Sequence, residues 1–281
     1  MKKITNYLQW AMLAGSTIIV GLFLIVILVE LFSKGLPVIS MEFIFGFPSE
    51  GMTKGGIFPA IAGTVLVTLL TTVFAVPFGV ACAIYLSEYA TNSPATRLIR
   101  AAIRNLSGIP SIIYGLFGLA LFVQAMRFGT SLLSAGLTLG LLSLPYIITT
   151  TEESLKRVSA TVKEGALAVG ATQFEVIKDI ILPIALPDIL TGIVLTLSRA
   201  AGETAPILFT GVTYYINGLP GSITQEFMAL PYHLYMLSTQ HQFIEQVRPL
   251  AYGTAVMLIT VVFLLNILAF YVRYKRRKYD Y

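Results

Sequence analysis

Apolar residues fall in long uninterrupted runs along this chain, and polar residues gather in the short stretches between them. A hydrocarbon core of about 30 Å takes roughly 20 residues of helix to cross. Five runs meet that length readily: residues 11–32, 61–86, 106–125, 132–150 and 250–272. A sixth, 189 to about 212, qualifies with Arg199 and Glu203 inside it. The pattern predicts an all-α, polytopic membrane protein with six transmembrane helices. The first run is too long for a signal-peptide core of about 7–15 residues and no small-residue cleavage pattern closes it, so a retained helix is expected.

Composition supports lipid as the main solvent. Hydrophobic residues make up 56% of the 281 and charged residues 12%, against about 25% charged in soluble chains. The net charge of +5 does not indicate nucleic acid, because the charges sit at the edges of the apolar runs, where topology determinants lie. Six spans put both termini on one side. The segments on that side hold 14 Lys and Arg (Lys2, Lys3, Arg97, Arg100, Arg104, Lys156, Arg157, Lys163, Lys178, Arg273, Lys275, Arg276, Arg277 and Lys278), and the opposite segments hold 4 (Lys34, Lys54, Arg127 and Arg248). By the positive-inside rule both termini are expected in the cytoplasm.

Soluble chemistry has no foothold in the motifs. The chain has no Gly-x-x-x-x-Gly-Lys-Ser/Thr phosphate loop, no His-Glu-x-x-His, no Cys-x-x-Cys and no Gly-x-Ser-x-Gly. A repeated half of the kind common in secondary transporters is also missing. Cys82 lies in an apolar run as a packing residue, and His233 and His241 read as surface-loop residues rather than metal ligands. Helix breakers recur inside the spans: Pro77, Gly108, Pro110, Gly115, Gly118, Pro145, Gly192, Gly202 and Pro206. Ordinary helix packing accounts for most of them. Gly202 and Pro206 differ in flanking a charge.

The longest cytoplasmic connection, 151–188, is patterned rather than linker-like. Small helix formers lead to Gly170, a permissive turn. A short amphipathic stretch then places Phe174, Ile177 and Ile181 at helical spacing, and Pro183 and Pro187 are expected to stop it before the membrane. The result is a helix–turn–helix at the membrane surface. Such an element fits a groove on a soluble partner or lies on lipid by itself, and periodicity does not choose between them. The spacing Glu164-x-Ala166-x-x-x-Gly170, nine residues, Ile180-x-Leu182-Pro183 resembles the signature loop of ABC importer permeases, with Gly165 standing where that family has its first Ala. The resemblance covers the chain from about Gly56 onward. It implies the type I ABC importer permease fold, and a coupling helix that docks in a cleft of a separate ATPase, with Ala171, Thr172, Gln173 and Phe174 near the contact.

Arg199 and Glu203 are four apart and would share a helix face. A charge at mid-membrane costs about 2.5–3.5 kcal/mol on insertion scales, so the pair is expected to face the bundle interior, a partner helix or an aqueous path. A structural ion pair and a gate for an anion both fit, since Arg matches two phosphate oxygens at once. The segment Arg199-Ala-Ala-Gly-Glu203-Thr204-Ala-Pro206, the segment Ser107-Gly-Ile-Pro-Ser-Ile-Ile-Tyr-Gly-Leu-Phe-Gly118 and the outer stretch 229–235 are similar to phosphate importer permeases of the PstA type. That resemblance implies Arg199, Glu203 and Thr204 at the translocation path or gate and a second permease subunit of the PstC type. It also implies two ATP-binding subunits that use ATP and magnesium, an extracytoplasmic phosphate-binding protein, and no cofactor on this chain itself. The organisation it suggests is an N-terminal helix and outer loop (1–55), a permease domain (56–274) and a basic tail (275–281). Permeases for sulfate or molybdate, an ATP-independent channel or secondary transporter, and a scaffold without a path are the alternatives.

Overall fold

A computed structural model describes the backbone of residues 2–216 and 218–277; the side chains of residues 2–9, 268, 269, 272, 273 and 275–277 are outside that description. The charges expected at Lys2, Lys3, Arg273, Lys275, Arg276, Arg277 and Lys278 therefore lie outside the described side chains. Helices dominate: α1 (Lys2–Gly35), α2 (Phe58–Tyr89), α3 (Pro94–Leu106), α4 (Ser111–Ala125), α5 (Leu132–Lys156), α6 (Ala160–Ala168), α7 (Gln173–Ala201), α8 (Leu230–Thr239) and α9 (Ile244–Arg277). A two-stranded antiparallel ribbon pairs Pro48 with Gly55.

Among the described residues, five helices are long and apolar enough to cross a membrane, and α3 with α4 counts as a sixth crossing only if the bent pair is one span. That pair corrects the expected third span. The run 106–125 is not one helix, because α3 and α4 meet at 102°. Pro110 has φ −55° and ψ 137°, and its ring drives the preceding residue out of the helical region. The carbonyls freed at the break are capped by tyrosines: Tyr114 Oη donates to Leu106 O (2.9 Å) and Tyr146 Oη donates to Ser107 O (2.7 Å).

The expected fifth span shifts as well. Helix α7 starts at Gln173, well before 189, and ends at Ala201. Pro183 and Pro187 do not stop it. A π-helical stretch over Val176–Ile181 precedes Leu182, and Pro183 enters the α-helical part in its first turn, where a missing N–H costs little. Beyond Ala201 the chain turns at Gly202 and resumes only as a single turn, Ala205–Leu208.

The bundle centre is α2, α5 and α7. Ala75, Ile147, Val176, Ile181, Ile189 and Ile193 form one buried cluster along these three helices. A second cluster, with Phe43, Met52, Met228, Leu230 and Val247, closes the opposite end around α8 and α9. Small residues permit the approach. A Cβ on Gly79 would press on Ile147, and one on Gly140 would enter the Phe74 ring. In contrast, the stretch of α1 from Trp10 to Ile27 lays its large apolar residues open. Many hydroxyls inside the spans are satisfied within their own helices, whereas the buried Thr151 Oγ1 has no partner among the described residues. Thr68, Thr71, Thr149, Thr196 and Thr254 each donate to the carbonyl four residues back.

The tightest junction is at Gly63, where a Cβ would collide with the Met228 carbonyl and the Phe227 ring; one residue on, Thr64 Oγ1 accepts from Leu230 N at 2.8 Å. Gly63→Ala is expected to destabilise the chain by about 1–3 kcal/mol, seen as a lower thermal midpoint in detergent; an unchanged midpoint would refute the packing. His233 and His241 are buried, not surface-loop residues as expected. Burial first, and the neighbouring His241 second, push the His233 imidazole down to about 4, and its Nδ1 has no partner among the described residues. An unfolded His takes a proton below about 6.5, so between that pH and about 4 the unfolded state binds more protons. Stability should therefore fall as pH drops through this window. The thermal midpoint of wild type should show this fall, and His233→Gln should flatten it; parallel pH curves would contradict the assignment.

Candidate functional site

Two places in the fold gather the residues singled out by the sequence: the turn between α6 and α7, and the polar cavity where α7 ends.

At the turn, α6 closes with a left-handed residue, Gly170 at φ +94°. Gly170 N donates to Leu167 O (3.0 Å) and Ala171 N donates to Ala166 O (3.2 Å), the paired bonds of a Schellman cap. Thr172 then caps α7: its Oγ1 accepts from Glu175 N, and Glu175 Oε2 accepts from Thr172 N at 2.7 Å, a capping box. Two stop–start signals back to back make a rigid corner from three residues. Ala166, Ala171 and Leu182 pack against the cluster of Val176, Ile177 and Ile181, which explains the small side chain at the signature position Ala166. Glu164, Thr172, Gln173 and Pro183 are exposed and Ile180 is half-buried. Phe174 does not join Ile177 and Ile181 as its spacing suggested; it is exposed, as are Leu167 and Val169. An apolar tip thus projects from the corner.

At the other end of α7, Arg199 and Glu203 are paired, Nε to Oε1 at 3.4 Å. They do not lie on one continuous helix as the i,i+4 spacing implied. The chain leaves α7 after Ala201, with Gly202 N on Arg199 O and Glu203 N on Ala200 O; the ion pair spans that turn. Its length exceeds the about 2.7–3.2 Å of a strong N–H···O bond. Arg199 is half exposed, and its guanidinium carbon stands 4.6 Å from the Tyr146 ring centroid, a contact worth about 0.5–2 kcal/mol. Ser198, Glu203, Asn266 and apolar residues of α9 complete an open cavity of about 540 Å³ around Arg199, with Ser198 Oγ donating to Asn266 Oδ1 at 2.9 Å. Thr204 lies in the same turn, half-buried, and begins the short helix that follows.

Tyr146 was not singled out by the sequence. It is one residue with two duties: its hydroxyl caps the α3–α4 break and its ring lies under Arg199. Neither role has a sequence signature, since both depend on contacts between separate helices. Asn266 could have been noticed as the one strongly polar residue in the run 250–272.

Residues 75–278 match the family of binding-protein-dependent transport system inner membrane components. The chain belongs to this family. It is 29% identical over 279 residues to a probable ABC transporter permease, YqgI, of Bacillus subtilis (95% of each chain). It is 35% identical over 216 residues to the phosphate transport system permease PstA of Xylella fastidiosa (74% of this chain, 75% of that one) and 32% identical over 278 residues to PstA of Pasteurella multocida (95% and 94%). A bacterial alginate ABC transporter shares its fold, with TM-score 0.68 at 16% identity over 94% of this chain and 93% of that one. The chain is accordingly a membrane-embedded transport component rather than an enzyme.

The corner predicts its own sensitivity. A φ of +94° at Gly170 costs a β-branched residue of the order of 1–3 kcal/mol, although no neighbouring atom lies within 4 Å of a Cβ there. Gly170→Val is expected to reduce ATPase co-purification several-fold, and Gly170→Asn, which tolerates positive φ better, to reduce it less. Equal co-purification of both with wild type would remove any role for the Schellman corner in docking.

Proposed function

We propose that this chain is the permease subunit of an ATP-driven importer that carries inorganic phosphate across the cytoplasmic membrane. Its loop from Glu164 to Pro183 would dock on a separate ATPase, and both termini would face the cytoplasm. On this reading the partners are two ATP-binding subunits, a second permease of the PstC type and an extracytoplasmic phosphate-binding protein. ATP and magnesium belong to the ATPase. Residues 1–55 form an added helix and outer loop, 56–274 the transport domain with its coupling loop 151–188, and 275–281 a basic tail.

The observation that carries the reading is the Arg199 cavity. A half-exposed planar cation, loosely held by Glu203 across a helix end, suits an oxyanion that arrives and leaves. Phosphate can take two of the guanidinium N–H groups at once, and Glu203 can reclaim the cation afterwards. The PstA names of the similar relatives support phosphate as the cargo. The exposed apolar tip at Leu167, Val169 and Phe174 supports a docking role for the corner. In operation, closure of the ATPase dimer would move the corners as levers, and the bundle would alternate between outward- and inward-open packings.

The test is uptake by the reconstituted complex of labelled phosphate, sulfate and molybdate, with and without ATP. Phosphate is expected to be taken up with ATP alone. Equal uptake of sulfate or molybdate would make the cargo a different oxyanion, and uptake without ATP would make the chain a channel. Arg199→Ala should lower phosphate uptake at least about a hundredfold, the scale of losing a charge-assisted contact of roughly 3 kcal/mol, while the complex still assembles. Unchanged uptake in that variant would end the gate reading; in Glu203→Gln, lost expression would mark the pair as structural instead.

A further inference from the structure

Glu88 is a nearly buried carboxylate, far from the Arg199 cavity, to which no role has yet been given. It sits near the end of α2, where the helix widens into a π turn over Tyr85–Tyr89. Its side chain is 9% exposed and pairs with Lys163 of α6, itself 22% exposed, at 2.8 Å. Ser87 Oγ donates to the same carboxylate oxygen at 2.7 Å. The backbone carbonyl of Glu88 accepts from Gln173 Nε2 at 2.5 Å. Both arms of the α6–α7 corner are thus fastened to one residue, 75 and 85 positions earlier in the chain.

We infer that Glu88 is a positioning residue, the joint through which movement of the α6–α7 corner is passed to α2. This rests on the reading that an ATPase docks at the corner. The corner already continues covalently into α7, and hence to Arg199. The buried cluster of Ala75, Ile147, Val176 and Ile189 already packs α7 against α2 and α5. Lys163 and Gln173 add a polar grip on α2 at the corner itself, from either side of Gly170. A shielded ion pair resists separation, since parting it strands a charge in a poorly solvated place. From Glu88 the path inward is stiff. Helix α2 meets α5 with no spare volume at Gly79 against Ile147 and at Phe74 against Gly140, and close-packed interiors transmit displacement rather than absorb it. α2 and α7, two walls of the bundle, would then be driven together. The other shielded acid at this end, Glu152, is bound by Arg100 and Lys156; it ties α3 to α5 and touches no residue of the corner, so it does not duplicate the joint.

The experiment uses the full complex, reconstituted with its ATPase and binding protein. It follows ATPase co-purification, ATP hydrolysis with and without the liganded binding protein, and labelled phosphate uptake per ATP. Glu88→Gln and Lys163→Met are expected to keep the ATPase bound and its basal hydrolysis intact. Uptake per ATP should fall roughly tenfold, within the 5- to 150-fold span usual for a coupling between sites. Glu88→Asp should recover part of the loss. The exchanged pair, Glu88→Lys with Lys163→Glu, should recover more than half, which a role in folding alone would not produce. If Glu88→Gln fails to assemble, Lys163→Met and the exchanged pair decide. Wild-type uptake per ATP in Lys163→Met, or no recovery in an exchanged pair that assembles normally, would overturn the joint. If the ATPase does not bind the wild-type chain at all, the functional reading falls and the joint with it; if it binds and Glu88→Gln remains fully coupled, the joint alone falls.

Discussion

A polar group inside a lipid-solvated bundle must find its partner within the protein. The rest of this structure depends on that constraint. It turns many threonines of the spans back on their own helices, and it decides where those helices can break. At the α3–α4 bend the freed carbonyls of Leu106 and Ser107 are taken by Tyr114 and Tyr146. At the end of α7 the turn closes on the carbonyls of Arg199 and Ala200. Each interruption is therefore a place where side chains from another helix, or a tight turn, stand in for water. Broken backbone and polar side chains coincide here because a break both needs and creates a polar site.

Tyr146 joins two of these interruptions. Its hydroxyl belongs to the Pro110 break and its ring to Arg199, so the bend of α3 against α4 and the orientation of the guanidinium share one side chain. The weak ion pair with Glu203 leaves that arrangement adjustable. An arginine locked in a short bidentate pair would give an arriving anion nothing to bind.

The corner between α6 and α7 follows the opposite logic. A Schellman cap at Gly170 and a capping box at Thr172 leave it no loose residues, and Lys163 and Gln173 tie it to Glu88. The lever role proposed for the corner needs this stiffness. The signature spacing is thus the imprint of local backbone chemistry: glycine for positive φ, alanines for close packing, and a helix that begins at once.

What the sequence determined by itself is what periodicity, composition and local backbone chemistry control. The apolar runs, the glycine corner and the charge set within an apolar run were all legible, because lipid burial and positive φ restrict residue choice wherever they occur. Three readings went astray for one reason. The unity of the run 106–125, the stop at Pro183 and Pro187, and the exposure of His233 and His241 each depend on what other helices offer. A proline continues a helix when a π turn prepares its place, and a histidine is buried when a second helix closes over it. Only the tertiary structure could decide these, and only it could bring Tyr146, Asn266 and Glu88 to their partners, since the groups they meet lie 39, 68 and 75 residues away along the chain.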